Sequence, residues 1–250
     1  MAMLTWRALP VFTLTVRQFA GGKAVRVVAG LSFIPALFAL IYLINPDVDD
    51  PLHFVAVTMF RSLIVAPLLP ITVLILGTGA LGNEVEDRTL PYLTLKPIGR
   101  LRIVVEKLIG VVVVAGPLIG AGMAATYFLA FRGESGDNLR LLWAMLAGGA
   151  VGVVGYGAIF LLVSLLISRA LLAGIIYALL WESLLGRFLP GLRVVSVRHF
   201  VESVFVKVLD QDSVTLKSVT SVNASLITIG AATVLSILLA TWRLRRMSLD

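Results

Sequence analysis

The chain has 250 residues, of which 59% are hydrophobic and only 14% are charged, and its formal net charge is +7. Soluble domains carry about 25% charged residues, so this composition excludes an ordinary water-soluble domain. Cysteine is absent, and His53 and His199 are the only histidines. A thiolate metal site and the metalloprotease motif H-E-x-x-H are therefore excluded by ligand count. The bases lie beside apolar segments, which argues against nucleic acid as their partner.

The N-terminal 22 residues mix apolar side chains with bases. This mixture predicts a helix that lies on the cytoplasmic membrane surface instead of crossing it. We expect Pro10 to limit or kink this helix and Gly21–Gly22 to turn the chain into the bilayer. The first long apolar run starts only at residue 27 and has no small-residue cleavage site, so it is not a cleaved signal.

Long uncharged runs follow, each close to the roughly 20 apolar residues that a helix needs to cross the hydrocarbon core. A sixth run, residues 170–186, is interrupted only by Glu182. We therefore predict an all-α polytopic membrane protein with six transmembrane helices in a single domain, residues 1–250. The five uninterrupted runs are residues 27–44, 62–83, 108–131, 141–168 and 218–242.

The distribution of lysine and arginine predicts that both termini are cytoplasmic. With that orientation 13 of the 21 bases lie on the cytoplasmic side, and five of the other eight fall in residues 187–217, a long segment in which the rule is weak. The first outer loop, "NPDVDDPLH", is acidic, which agrees. Its carboxylates and histidine are of the type that can bind a metal ion, so a metal site is one alternative, but we favour an acidic loop exposed to solvent. The residues concerned are Asp47, Asp49, Asp50 and His53.

Small residues cluster at "GPLIG" (116–120) and "GGAVG" (148–152), and their glycine spacing permits close helix contact. We expect this contact within one copy, with a dimer seam as the alternative. Four prolines interrupt the predicted helices. Such breaks occur where a membrane protein flexes or lines a cavity, and simple tolerated kinks are the other interpretation. These prolines are Pro35, Pro67, Pro70 and Pro117.

Glu182 is the one acid inside a predicted span. It lies about 20 Å along a helix from Arg169, in the outer half, where burying a charge is less costly than at the centre. It either faces a translocation path or pairs with Arg187 or Arg61. The link around Arg169 is short, so spans four and five form a tight hairpin. Arg61, at the predicted outer start of span two, is interpreted as a marker of the interface.

The outer segment at residues 187–217 alternates polar residues at three- to four-residue spacing with valines. This pattern predicts a helix at the outer interface or dipping part-way into the membrane, and a solvent-exposed loop is the alternative. Arg198 and Glu202 fall on the apolar side, four residues apart, where they can pair. The polar stripe consists of Arg193, Ser196, His199, Ser203, Lys207 and Asp210.

The stretch "GNEVEDRTLPYLTLKPIGRLRIVVEK", residues 82–107, gathers four acids and five bases between two apolar runs. Thr89 can cap a short helix, which must stop before Pro97. Acids precede this helix and bases follow it, an order that suits the helix dipole. A helix of under two turns is marginal alone, so we expect it to dock into a cleft of a partner. An ordinary positive-inside loop with caps is the alternative.

With these features nearly the whole chain resembles the permease subunits of ABC-type exporters, in the type-2 class with six membrane helices. That family has an acid-rich start after helix two and then Thr-Leu, Leu, Pro, Arg and Lys at set spacing. Where the family often has glycine before the threonine, this sequence has Arg88. The matching residues are Glu84, Glu86, Thr89, Leu90, Leu93, Pro97, Arg100 and Lys107.

The resemblance implies that residues 84–100 form a coupling helix seated on a separate ATP-binding subunit. It also implies that the N-terminal helix rests on that subunit. Helices two and five of two permease copies, in a homodimer, would line an outward path gated by the segment after helix five, in the cytoplasmic membrane of a bacterium or archaeon. The expected ATPase contacts are Glu84, Glu86, Asp87, Arg88, Thr89, Leu90, Tyr92, Leu93, Pro97 and Arg100, and Glu182 is a candidate for the path.

The sequence lacks a G-x-x-x-x-G-K-[ST] phosphate loop, since "GGKAV" has neither the spacing nor the hydroxyl. The chain therefore has no ATPase site of this kind, and ATP and Mg²⁺ are expected on the partner. An intramembrane enzyme lacks a serine nucleophile motif and metal ligands here. A non-ATPase scaffold, assembly factor or channel-like subunit is the remaining alternative. Lipid-linked sugars, lipids, peptides, small drugs and ions all stay open as substrates.

Overall fold

The computed structural model describes residues 9–44, 50–86, 98–131, 138–167, 169–176, 196–211, 214 and 219–247. Every regular element in those ranges is a helix, which confirms the all-α prediction. The helices are α1 (Pro10–Gly21), α2 (Lys23–Ile44), α3 (Pro51–His53, Phe54–Leu68 and Leu69–Glu86, continuous), α4 (Arg100–Ala130), α5 (Leu139–Leu166), α6 (Ala170–Ile176), α7 (Val197–Leu209) and α8 (Val222–Arg246).

Five helices, α2, α3, α4, α5 and α8, are long and apolar enough to cross a membrane. Each of them covers most of one uninterrupted run of the sequence, and α2 and α3 contain theirs completely. The sixth predicted span is described only over α6. Residues 177–186, with Glu182, lie outside the described part, so the six-span count stays a prediction. Helix α6 begins four residues after α5 ends, so the link around Arg169 is short, as expected, and the hairpin of spans four and five stays a prediction.

Helix α1 begins at Pro10, which confirms a helix in the N-terminal segment over Pro10–Gly21. Residues 1–8 lie outside the described part, and the place of α1 on the membrane surface stays a prediction. Pro10 occupies the first turn, where its missing N–H costs nothing, and it therefore limits the helix instead of kinking it. Gly22 adopts extended backbone and separates α1 from α2, as expected. Val11, Thr15 and Phe19 form the buried face of α1.

Helix α3 begins at Pro51, ahead of the predicted start near residue 62. Asp50 caps this end by accepting a hydrogen bond from the Leu52 amide. The interpretation of Arg61 as the outer start of the helix is therefore wrong, since Arg61 lies ten residues inside it. A charged residue is tolerated there because Glu202 pairs with it. The segment Phe54–Leu68 has π-helical geometry, which is rare and otherwise occurs mostly as single turns within α-helices.

Helix α7 packs antiparallel against α5, beside its glycines. A Cβ at Gly148 would lie 3.1 Å from the Val201 carbonyl oxygen, and one at Gly155 would lie 3.2 Å from the Val197 side chain. The "GGAVG" cluster therefore packs helices within one chain, as expected. The prediction of a helix in this segment is confirmed for residues 197–209, and a solvent-exposed loop is wrong there. Its place at the outer interface or part-way into the membrane stays a prediction.

The predicted polar stripe of α7 does not face water along its whole length. Ser203 is fully buried, and its hydroxyl accepts a hydrogen bond from the Thr220 amide. His199 bonds the Thr220 hydroxyl at 2.9 Å. Periodicity correctly predicts a helix here, but Thr220, which lies just before α8, covers part of the polar side. Arg193, the first residue of the stripe, lies outside the described part.

We call the two ends of the helix bundle the proximal face and the distal face. At the proximal face, the end of α3 meets the start of α4 through Glu84 and Lys107, and the end of α8 meets the end of α5 through Arg243 and the Leu165 carbonyl. At the distal face, Arg140 at the start of α5 contacts the end of α7, bonding Val208 and Asp210. The two described ends of residues 84–100, at the end of α3 and the start of α4, therefore belong to the proximal face.

The crossing of α2 and α4 depends on a glycine, and this generates a test. A Cβ at Gly122 would clash with the backbone carbonyl of Ser32, whereas a Cβ at Gly116 would meet nothing within 4 Å. We expect Gly122→Ala to lower the free energy of unfolding by about 1–3 kcal/mol or more, measured by thermal unfolding of the detergent-solubilised chain. Gly116→Ala is the matched control and should be neutral or mildly stabilising. Equal unfolding temperatures for both variants would contradict this packing.

Candidate functional site

A buried ion pair joins the end of α3 to the start of α4. The Lys107 Nζ lies 2.5 Å from Oε1 of Glu84, and the lysine side chain is fully buried while that of Glu84 is 13% exposed. An unpaired charge in such a place is strongly destabilising, because the solvation it loses is not replaced. The pair therefore fixes the distance between the two ends of residues 84–100.

The residue before Lys107 holds a different element. Oε2 of Glu106 accepts hydrogen bonds from the backbone amides of Val11 at 2.8 Å and Phe12 at 3.0 Å. These are first-turn amides of α1, which have no partner within their own helix, and Leu9 supplies no side-chain cap. A carboxylate also suits the positive end of the α1 dipole. Glu106 thus caps a helix about 95 residues away in sequence.

Two further contacts complete this arrangement. The Arg102 Nε donates to Oε1 of Glu106 at 2.6 Å, so both carboxylate oxygens are bonded. Thr15 of α1 lies flat against Gly110 of α4, where a Cβ would stand 2.8 Å from the Thr15 methyl carbon. Glycine at this position lets the backbones of α1 and α4 approach closely. We call the set Glu84, Arg102, Glu106 and Lys107 the proximal clamp.

The proximal clamp can transmit displacement. Consecutive residues of α4, Glu106 and Lys107, bind the start of α1 and the end of α3 respectively. A force on the segment between α3 and α4 would therefore move three helices together. The clamp contains two acids and two bases, so its formal charges cancel.

Among the predicted ATPase contacts, the structure places Glu84 in the clamp and Arg100 at the first residue of α4. Glu86 is the last residue of α3. Their role as partner contacts stays a prediction. Residues 87–97 lie outside the described part, and so does the predicted path residue Glu182; the candidates in residues 87–97 are Asp87, Arg88, Thr89, Leu90, Tyr92, Leu93 and Pro97.

Sequence reasoning missed the role of Glu106. The only available signal was indirect, since α1 starts with Leu9 and Pro10 and so lacks a capping side chain of its own. That signal shows that a cap is needed from elsewhere but does not identify its source. Within the described ranges there is no group of three or more residues suited to hold a metal ion. Asp50 of the first outer loop serves as a helix cap, while Asp47 and Asp49 lie outside these ranges.

The buried pair generates a stability test. Lys107→Met should leave Glu84 without its cation and lower the free energy of unfolding by about 3–5 kcal/mol. The double variant Glu84→Gln/Lys107→Met should regain most of this loss, because neither charge remains buried. Arg140→Gln breaks an exposed ion pair and should cost under about 1 kcal/mol. Thermal unfolding in detergent provides the measurement, and additive losses in the double variant would contradict the pairing.

Comparison with known proteins identifies the family. The profile of the family described as "ABC-2 family transporter protein" matches residues 14–249, almost the whole chain. No match was found among curated proteins. The match covers α1 from residue 14 onward, the proximal clamp and all five described membrane helices, and it favours the transporter interpretation over a non-ATPase scaffold. The chain therefore belongs to the ABC-2 family of transporter proteins, and it is an integral-membrane permease subunit of an ABC transporter.

Proposed function

We propose that this permease exports its substrate, moving it outward through a path between two copies of the chain, driven by ATP hydrolysis on a separate subunit. Family membership implies an ABC ATPase as partner. ATP and Mg²⁺ would bind that partner. The proximal clamp is the observation that supports coupling, because it joins both ends of the proposed coupling segment to α1.

The mechanism follows from the clamp geometry. Closure of the ATPase subunits would push the coupling segment, residues 84–100. Because Lys107 binds Glu84 and Glu106 binds the first turn of α1, the push would displace α1, α3 and α4 as one unit. The helix packing in the rest of the bundle would resist this movement and convert it into a relative displacement of membrane helices. Glu182 remains our candidate for the path.

The proposed orientation places the proximal face and both termini in the cytoplasm of a bacterium or archaeon. It is supported by the bases of α1, of the α4 start and of the α8 end, which all belong to this face. Arg246 stacks on Trp242 with its guanidinium carbon 4.1 Å from the ring centroid, a combination suited to the membrane surface. A homodimer is proposed because one chain supplies only half of such a path.

The absence of cysteine allows a clean test of orientation. We expect Asp49→Cys to react with a membrane-impermeant maleimide in intact cells, because the first outer loop faces outward. Thr89→Cys should react only after the membrane is permeabilised. The measurement is mass-shift labelling of the purified chain. Labelling of Thr89→Cys in intact cells would place the segment on the wrong side for an ATPase and would overturn the proposal.

Coupling is tested at Glu86, because reversal at Glu84 would also break the buried pair. We expect Glu86→Lys to reduce ATPase recovery and ATP hydrolysis about tenfold in complexes isolated through a tag on this chain. The unfolding temperature should not change. Arg140→Glu, on the distal face, is the control and should retain both. Failure of any ATPase to accompany the wild-type chain, or full activity in Glu86→Lys, would contradict the proposed coupling.

A further inference from the structure

Three charged side chains meet near the distal face, between α3 and α7. The Arg198 Nε lies 2.7 Å from Oε1 of Glu202, and Nη2 of Arg61 lies 3.5 Å from Oε2 of the same carboxylate. The side chains of Arg61 and Arg198 are 23% and 21% exposed, and that of Glu202 is 10% exposed. We call these three residues the distal cluster.

The charges of the distal cluster do not cancel. Two guanidinium groups share one carboxylate, which leaves one positive charge in excess among these three side chains. Each guanidinium carries five N–H donors, and the buried Nε of Arg61 has no acceptor within the described part of the chain. A pair would be enough to fasten α7 to α3, since one cation on α3 would neutralise Glu202. Within the described residues the second cation therefore has no carboxylate of its own and is available to another anion.

The surroundings add to the positive potential. Arg198 lies in the first turn of α7, which contains no acidic residue, and the positive end of the helix dipole points the same way. Because α7 runs antiparallel to α5, this end is the one that points into the bundle: Val197 packs at Gly155, whereas Val208 lies at Arg140. Arg61 is in the π-helical part of α3.

The depth of the cluster fits a headgroup. From Arg61 to Glu84, α3 extends about 30–35 Å, given its rise per residue, which is close to the thickness of the hydrocarbon core. With the proximal clamp at one boundary of the core, the distal cluster lies at the other, where lipid phosphates are found. Partly exposed arginines at that level can reach a phosphate and bind it with two parallel N–H···O bonds.

We propose that Arg61 and Arg198 form a binding site for a phosphate-type anion at the headgroup level of the distal leaflet. The anion is carried either by an anionic phospholipid or by a substrate with a phosphate group, and only the second source rests on the proposed export function. Glu202 holds the two guanidinium groups side by side and weakens the site by its own negative charge. Removing an arginine and removing the glutamate therefore have opposite effects on anion binding.

The test measures lipid binding to the full chain, purified in detergent, by native mass spectrometry. Phosphatidylglycerol should bind at least about tenfold more tightly than phosphatidylcholine, whose choline neutralises the phosphate. Arg61→Gln and Arg198→Gln should each weaken phosphatidylglycerol binding about fivefold or more. Glu202→Gln should strengthen it severalfold. Arg140→Gln, which removes an exposed distal arginine, is the matched control and should leave it unchanged.

Binding equal to wild type in both arginine variants would overturn the site. So would a loss of binding in Glu202→Gln alongside the arginine variants, because a cluster that only fastens α7 would behave that way. If the glutamine variants do not fold, Arg61→Lys and Arg198→Lys keep the charge but lose the paired N–H donors. They should bind phosphatidylglycerol more weakly than wild type and still prefer it to phosphatidylcholine; loss of that preference would also overturn the site.

Glycerol 3-phosphate distinguishes the two sources. Competition with phosphatidylglycerol would support a site that also accepts a phosphate without lipid chains, as a substrate could present. Retained lipid binding without competition would support the phospholipid as occupant. Because the purified chain is measured without ATP, failure of this site leaves the proposed export function standing, and failure of ATPase coupling leaves the site standing.

Discussion

The ion pair between Glu84 and Lys107 is the constraint on which the proximal face depends. Apolar side chains cannot by themselves decide which helix ends meet inside a membrane, because lipid tails are as apolar as the side chains they would replace. A buried charge can decide this, because a helix arrangement that separates it from its partner loses about 3–5 kcal/mol. Glu106, which precedes Lys107 in α4, fixes the position of α1 in a similar way. Its carboxylate accepts hydrogen bonds from first-turn amides of α1 that have no partner within α1. One turn of α4 therefore determines the positions of two other helices.

Close packing between backbones fixes the rest of the bundle. Gly122 brings α4 against the Ser32 carbonyl of α2, and Gly148 brings α5 against the Val201 carbonyl of α7. Helices held at such contacts move as rigid bodies, because their surfaces leave no room for side chains to adjust. Helix α3 has a charged contact near each end, with Glu84 on the proximal face and Arg61 near the distal one. A displacement imposed at the clamp therefore reaches the distal cluster through a single helix.

The sequence predicted the described membrane helices because each needs only a long apolar run, which is a local property. It also predicted the pairing of Arg198 with Glu202, because four residues on a helix bring side chains together. It did not predict that Arg61 joins Arg198 and Glu202 in the distal cluster, or that Glu106 caps α1, because periodicity along one helix carries no information about contacts between different helices. The polar side of α7 was only partly correct for the same reason, because the residue that covers Ser203 is Thr220, beyond the helix.

The proximal clamp and the distal cluster differ in charge balance, which suits the first to holding helices together and the second to binding an anion. In the proximal clamp each acid has a base of its own, Lys107 for Glu84 and Arg102 for Glu106, and such a balanced set has no electrostatic reason to open. In the distal cluster Glu202 is shared between Arg61 and Arg198, so the attraction of each arginine for the carboxylate is offset by repulsion between the two guanidinium groups. An arriving anion would relieve that repulsion by binding both guanidinium groups. Because Arg61 lies on α3 and Arg198 on α7, the bound anion would hold the two helices together more firmly than Glu202 alone does. Anion binding and contact between α3 and α7 would therefore favour each other.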